Sequence, residues 1–123
     1  MKKRHLFLFV LVSVLMLAGC SKEPLPKKYS VTNNISFGSS TKFTILECNE
    51  IRDKIFNSAQ TFSKGETKTF TAQDDAVKVK IYVKVESYFG NVTGYVQQVF
   101  YLQEGETKSI TIDDNTIIGS QEP

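Results

Sequence analysis

The chain has 123 residues, which is room for one domain, and its 15 Lys and Arg nearly balance its 13 Asp and Glu. So small a net charge provides no electrostatic case for nucleic-acid binding. The composition includes one His and no Trp, which already limits the chemistry available to the protein.

The chain opens with Lys2, Lys3 and Arg4, followed by an apolar run over residues 6–18 that only Ser13 interrupts. Spanning a bilayer takes about 20 apolar residues, so this run is too short for a transmembrane helix. A basic head and an apolar core of this length are typical of a secretory signal peptide. An uncleaved short membrane anchor is the alternative.

Leu17-Ala18-Gly19-Cys20 follows directly and resembles the lipobox of bacterial lipoproteins. The resemblance implies that residues 1–19 are a signal peptide, removed by cleavage before Cys20. It also implies that the Cys20 thiol carries diacylglycerol and that the new amino group receives a palmitate-type acyl chain. A chance match, followed by ordinary signal-peptide cleavage, is the alternative.

Cleavage changes the charge balance, because three of the 15 basic residues lie in the head and leave 12 against 13 acidic residues, a net charge near −1. It also removes His5, so the mature chain has no His. Cys20 is consumed by the lipid, which leaves Cys48 as the one free thiol and excludes an intrachain disulfide. We expect Cys48 to be a small buried apolar residue; a reactive or intermolecularly paired thiol is the alternative.

Residues 20–30 are predicted to be the lipidated cysteine and a flexible tether, since Pro24 and Pro26 stand among charged residues without an apolar period. Ten extended residues at ~3.1 Å each reach about 30 Å, enough for a folded domain to clear the headgroups. Lys27 and Lys28 either contact anionic lipid or are simply solvated.

Residues 31–118 show the pattern of β-structure throughout. In the clearest strand, over residues 76–88, Val77, Val79, Ile81, Val83 and Val85 alternate with polar residues, several of them lysines. A strand with one apolar face and one solvent-exposed face is typical of an antiparallel sheet. We therefore predict a single antiparallel β-sandwich of about seven strands, immunoglobulin-like or transthyretin-like, with a C-terminal tail at 119–123. In this layout the chain resembles small β-sandwich lipoproteins of Gram-negative gut bacteria.

An internal repeat lies within this body: residues 65–71 (GETKTFT) recur as residues 105–111 (GETKSIT), 40 positions later. Each copy is predicted to be a strand, a tight turn at the Gly and a second strand. The copies are either two equivalent ligand loops or two similar turns on opposite sides of the sandwich. Residues 50–60 fit either a helix or a strand, because Ile51, Ile55 and Ala59 also fall near helical spacing.

Patterns for catalysis and metal binding are missing from the mature sequence. Nucleophilic catalysis by Ser or Cys usually needs a His base, and none remains. The carboxylate pairs Asp74-Asp75 and Asp113-Asp114 are explained as turn residues. We expect no enzyme activity, no metal and no cofactor beyond the covalent lipid.

Tyr88 and Phe89 are predicted to form the tip of a hairpin, with Tyr95 following in the next strand. Two large aromatic residues are unusual in a solvated turn, and Tyr is favoured at interfaces because it offers contact area at low entropic cost. These residues are therefore candidates for contact with a protein partner. The alternative is that their rings fold back over the end of the sandwich.

These observations predict a membrane-anchored lipoprotein that acts as a non-enzymatic binding or envelope-assembly module for a protein partner. A surface accessory domain that binds a glycan or a host ligand is the alternative. Ser21 follows Cys20 where Asp would resemble an inner-membrane retention signal, so the cell outer membrane is the predicted location. The periplasmic and the surface face both stay open.

Overall fold

The computed structural model describes residues 24–51 and 54–123, and in these ranges the chain is all β, without a helix. The nine strands are β1 (Lys28–Asn34), β2 (Ser40–Cys48), β3 (Phe56–Phe62), β4 (Thr67–Thr71), β5 (Lys78–Ser87), β6 (Gly90–Val96), β7 (Phe100–Tyr101), β8 (Thr107–Asp113) and β9 (Ile118–Gly119).

The strands form two packed sheets, which confirms the predicted β-sandwich. Sheet A has the order β4-β1-β8, and sheet B has the order β3-β2-β5-β6-β9, with the short β7 also paired to β5. One pair departs from the prediction of a wholly antiparallel fold, because β1 and β8 run parallel.

The core lies between the sheets and follows the alternation seen in the sequence. Val79, Ile81, Val83 and Val85 of β5 are all fully buried, and their neighbours along the strand face the other way. Burying a side chain of this size contributes about 1.5–3 kcal/mol, so the four side chains together contribute on the order of 6–12 kcal/mol. The other large, fully buried core side chains include Tyr29, Val31, Phe43, Ile45, Ile110 and Ile112.

The folded body begins earlier than the predicted residue 31. Tyr29 is fully buried in the core, in a strand that starts at Lys28. Backbone pairing starts earlier still, since the Gly105 N–H donates to the Pro26 carbonyl at 3.0 Å. Backbone pairing therefore already begins at Pro26, within the segment predicted to be a tether.

In the ambiguous segment 50–60, residues 56–60 belong to β3 (Phe56–Phe62), while Arg52 and Asp53 lie outside the described residues. The strand pairs antiparallel with β2, so that Phe62 lies opposite Thr41. The Phe62 ring packs on the Phe43 ring, with the two centroids 4.9 Å apart. This long-range pairing decides between helix and strand, which local spacing left open.

Both copies of the repeat are a strand, a tight turn and a second strand, as predicted. Gly65 and Gly105 take positive φ angles of 79° and 74° in the turns, where glycine is favoured. The second strands of the copies flank β1, and Thr69 and Ser109 both lie opposite Ser30. Because β4 is antiparallel and β8 parallel to β1, the copies are related by an approximate twofold axis perpendicular to sheet A.

The C-terminal segment covers one end of the outer face of sheet B. Gln97 Nε2 donates to the Gln121 carbonyl at 2.7 Å, and Glu122 lies 3.7 Å from the Lys80 ammonium. Lys80 is only 5% exposed as a result. The predicted wet face of β5 is therefore solvated at Lys84 but covered at Lys80.

Candidate functional site

The tip of the β5–β6 hairpin is the most exposed aromatic feature of the described residues. Ser87 pairs with Gly90, so Tyr88 and Phe89 form a two-residue loop. Both side chains are 96% exposed, and their rings meet edge to face with centroids 5.4 Å apart. The rings do not fold back over the sandwich, so the alternative of a lid is wrong. We call this pair the aromatic tip.

The turn is held by the chain on either side of the rings. The Ser87 hydroxyl donates to the Gly90 carbonyl at 2.6 Å, and Gly90 takes a φ of 129°, in the region that favours glycine. A side chain at position 90 would meet no atom within 4 Å. Backbone conformation, and not space, therefore explains Gly90.

Tyr95, the third candidate residue, lies elsewhere. It is half-buried on the outer face of sheet B and packs against Tyr82 at a centroid distance of 4.9 Å. Its backbone pairs with Gly119 of β9. The structure thus brings Tyr88 and Phe89 together and assigns Tyr95 to the packing of the sheet.

Two further apolar side chains are partly exposed at the same end of the molecule. Phe37 lies in the β1–β2 connection, which crosses this end because the Ser39 N–H donates to the Glu86 carbonyl at 2.8 Å. Val92 pairs with Val85 near the closed end of the hairpin. Phe37 follows Val31 and Ile35 at even spacing, so the sequence pattern alone gives no sign that its side chain is exposed.

The aromatic tip lies at the opposite end of the sandwich from the point where the N-terminal segment joins it. Pro26 and Lys28 pair with the turn around Gly105, and Leu102 donates to the Val77 carbonyl just before β5 begins. The tip follows the other end of β5, a ten-residue strand. At ~3.3 Å per residue, about 30 Å separates the two ends.

A buried polar pair links the two sheets in the core. The Tyr29 hydroxyl of β1 donates to Glu47 Oε2 of β2 at 2.5 Å, and the Gln73 N–H donates to Glu47 Oε1 at 2.7 Å. Burial first, then the hydrogen bond to Glu47 and its charge, raise the pKa of the Tyr29 phenol far above its usual range. The sequence pattern already indicates that Glu47 points inward, because it follows Phe43 and Ile45 at a spacing of two residues along β2.

Both carboxylate oxygens of Glu47 accept a hydrogen bond, and no buried side-chain N or O atom of the described residues lacks a partner. Cys48 is buried, as predicted, with its thiol directed at the Leu46 carbonyl at 3.7 Å.

In residues 24–51 and 54–123, no three His, Cys, Asp or Glu side chains are grouped so that they could hold a metal ion.

Cys20 and the rest of the lipobox lie outside the described residues, so lipid attachment stays a prediction from the sequence. Within the described ranges, no helix has the length and apolar character needed to cross a bilayer.

Comparison with protein-family models, with curated proteins and with solved structures found no match to the chain.

Proposed function

We propose that the protein is a lipid-anchored binding module without catalytic activity, which holds a protein partner at the cell outer membrane through its aromatic tip. The observation that carries the proposal is the 96% exposure of both Tyr88 and Phe89 at the end remote from the N-terminal junction. A cleaved and lipidated Cys20 would leave only residues 21–25 between the lipid and the docked Pro26. At ~3.3–3.6 Å each, those five residues span about 17 Å at most, so the tip would point away from the membrane.

Exposed aromatic rings have a physical reason to bind. Burying a Tyr or Phe side chain contributes about 1.5–3 kcal/mol, and aromatic residues supply many of the dominant contacts in protein interfaces. Two rigid rings on a closed hairpin lose little conformational entropy when they are covered. The tip therefore has the properties of a small interface anchor.

The strand beside the tip supports a protein partner over a small ligand. Residues 90–93 of β6 are exposed and carry no charge, and β9 pairs only with Tyr95 and Val96. In the described part of the chain no other strand covers this edge. An extended segment of a partner can form backbone hydrogen bonds with such an edge, while the two rings contact its side chains.

Site-specific photo-crosslinking in cells that express the full chain tests the proposal. A photoreactive phenylalanine analogue replaces Phe89 in one variant and Ile117, an exposed apolar residue away from the tip, in the control. We expect one discrete adduct with a second protein from position 89 and none of that size from position 117.

The same adduct from both positions, or none from position 89, would overturn the proposal, and so would an adduct whose mass is that of two copies of this chain. Protease shaving of intact cells then separates the two orientations, since only a surface-facing domain is digested.

A further inference from the structure

A second surface feature lies at the other end of the molecule, beside the turn of the second repeat copy. It is a cleft of about 320 Å³ between β7 and the free edge of β8. We call it the β7–β8 cleft. Its lining residues are Tyr101, Gln103, Glu106, Thr107, Lys108 and Ser109.

Tyr101 supplies the one aromatic ring of the cleft. It lies in β7 opposite Lys78 and is 66% exposed. Its hydroxyl forms no hydrogen bond with the described residues, so packing within the fold does not explain the ring. The face of an aromatic ring carries partial negative charge and attracts C–H groups that carry partial positive charge.

In the first repeat copy, the equivalent polar side chains are used to hold the fold. Glu66 Oε1 accepts from the Ser63 N–H at 2.9 Å and closes the turn. The Lys68 ammonium donates to the Thr61 carbonyl at 2.8 Å and lies 4.8 Å from the centre of the Phe62 ring.

In the second copy, the same residue types make no such contact within the described residues. Glu106 and Lys108 occupy the positions of Glu66 and Lys68, but their side chains have no hydrogen bond or ion pair with any described residue. Both line the cleft instead. Gln103 and Tyr101 line it too, at positions where the first copy has Ser63 and Thr61. Donors and acceptors that are structural in one copy thus line a cleft together with an aromatic ring in the other.

We propose that the β7–β8 cleft binds one pyranose ring of a glycan. The C–H face of a pyranose would stack on Tyr101, and its neighbouring hydroxyls would donate to Glu106 and accept from Lys108. The Gln103 amide offers both a donor and an acceptor. With one cation and one anion, the cleft has no net charge, which favours a neutral polyhydroxylated ring over an ionic ligand.

This site is independent of the aromatic tip and gives the protein a second function. A hexose has about 12 non-hydrogen atoms, and at ordinary ligand efficiency a single ring binds with a Kd of about 1 mM. Longer glycans gain affinity only through contacts outside the cleft.

The test is an NMR titration of the ¹⁵N-labelled mature protein, in a detergent without a sugar head group. The probes are the methyl glycosides of glucose, galactose, mannose and N-acetylglucosamine. We expect at least one to give saturable amide shifts centred on residues 101–109, with a Kd of about 1 mM. Shifts that do not saturate with any probe, or that centre elsewhere, would overturn the proposal.

Four variants assign the binding to the cleft. Tyr101→Ala should weaken binding about tenfold, whereas Tyr101→Phe should retain most of it because the ring remains. Lys108→Gln should weaken binding with no change in Tm, and the matched variant Lys68→Gln should lower Tm with no change in Kd. An unchanged Kd in both Tyr101→Ala and Lys108→Gln would show that the sugar does not bind in the β7–β8 cleft.

The two proposals fail separately. Replacing Tyr88 by Ser in the variant with the photoreactive residue at position 89 should remove the adduct and leave sugar binding intact. Lys108→Gln in the same variant should weaken sugar binding and leave the adduct unchanged.

Discussion

The hydrogen bond between Tyr29 and Glu47 makes the substitution Tyr29→Phe informative. The change removes only the hydroxyl that donates to Glu47 Oε2 at 2.5 Å. The ring stays in place on Phe70, 5.2 Å away between centroids, so no cavity opens. Glu47 then keeps one donor, the Gln73 N–H, for a carboxyl group that is almost fully buried.

The expected loss is that of a hydrogen bond to a buried carboxyl group, about 2 kcal/mol of unfolding free energy. For a domain of roughly 100 residues, each kcal/mol corresponds to about 4–8 °C, so Tm should fall by about 10 °C. In urea, the midpoint should fall by about 1 M at an unchanged m-value.

Urea denaturation of the mature protein, followed by far-ultraviolet circular dichroism, measures this loss. Tyr95→Phe is the matched control, because no hydrogen bond of the Tyr95 hydroxyl exists within the described residues and its removal should cost less than about 0.5 kcal/mol. Equal losses in the two variants would show that the Tyr29 hydroxyl adds nothing to stability and would refute this account of the core.

Three further predictions concern pH and backbone. The folded-state pKa of Tyr29 is raised, so stability is complete below the unfolded-state value of about 10 and is lost at higher pH; alkaline denaturation of Tyr29→Phe should lack that slope. Hydrogen bonds from the hydroxyl and N–H of Ser36 lower the pKa of Asp114, so its contribution is present at neutral pH and lost in acid; Asp114→Asn should flatten the acid limb of a pH–Tm profile. Gly94→Ala would bring a Cβ to 2.6 Å from the Gly119 carbonyl oxygen, so its Tm should fall well below that of Gly90→Ala, where the Cβ meets nothing within 4 Å.

Much of the fold was predictable where one residue type dominates one face of a strand. The valines and isoleucine of β5 specify their own strand, because only period two buries all of them together. The turns of the repeat were predictable for a similar reason, since Gly65 and Gly105 need positive φ angles.

Features set by distant parts of the chain were not predictable. β4 runs antiparallel and β8 parallel to β1, although the two repeat turns are nearly identical in sequence. The direction of each strand relative to β1 depends on the side of β1 on which it pairs, which the turn does not specify. Lys80 alternates with the apolar residues of β5 as Lys78 and Lys84 do, and its burial beside Glu122 of the C-terminal segment is not visible in that pattern.

The candidate sites differ in the same way. Local turn chemistry located the aromatic tip, and the exposure of its rings then excluded the lid. The β7–β8 cleft could not be predicted, because it depends on a contrast between two repeat copies that are nearly identical in sequence. Glu106 and Glu66 stand in the same Gly-Glu-Thr-Lys segment, but the first copy has Thr61 and Ser63 where the second has Tyr101 and Gln103.

The parallel pairing of β1 with β8 has a consequence for the timing of folding. Lys28 lies opposite Thr107, so the central strand of sheet A waits for a partner almost 80 residues downstream. Pairings between such distant residues form late, since closing a long loop has an entropic cost before any contact forms. During synthesis from the N-terminus, sheet A therefore stays incomplete until nearly the whole chain is available. A polypeptide that must cross a membrane unfolded would benefit from this delay, because the last segment to emerge completes the domain.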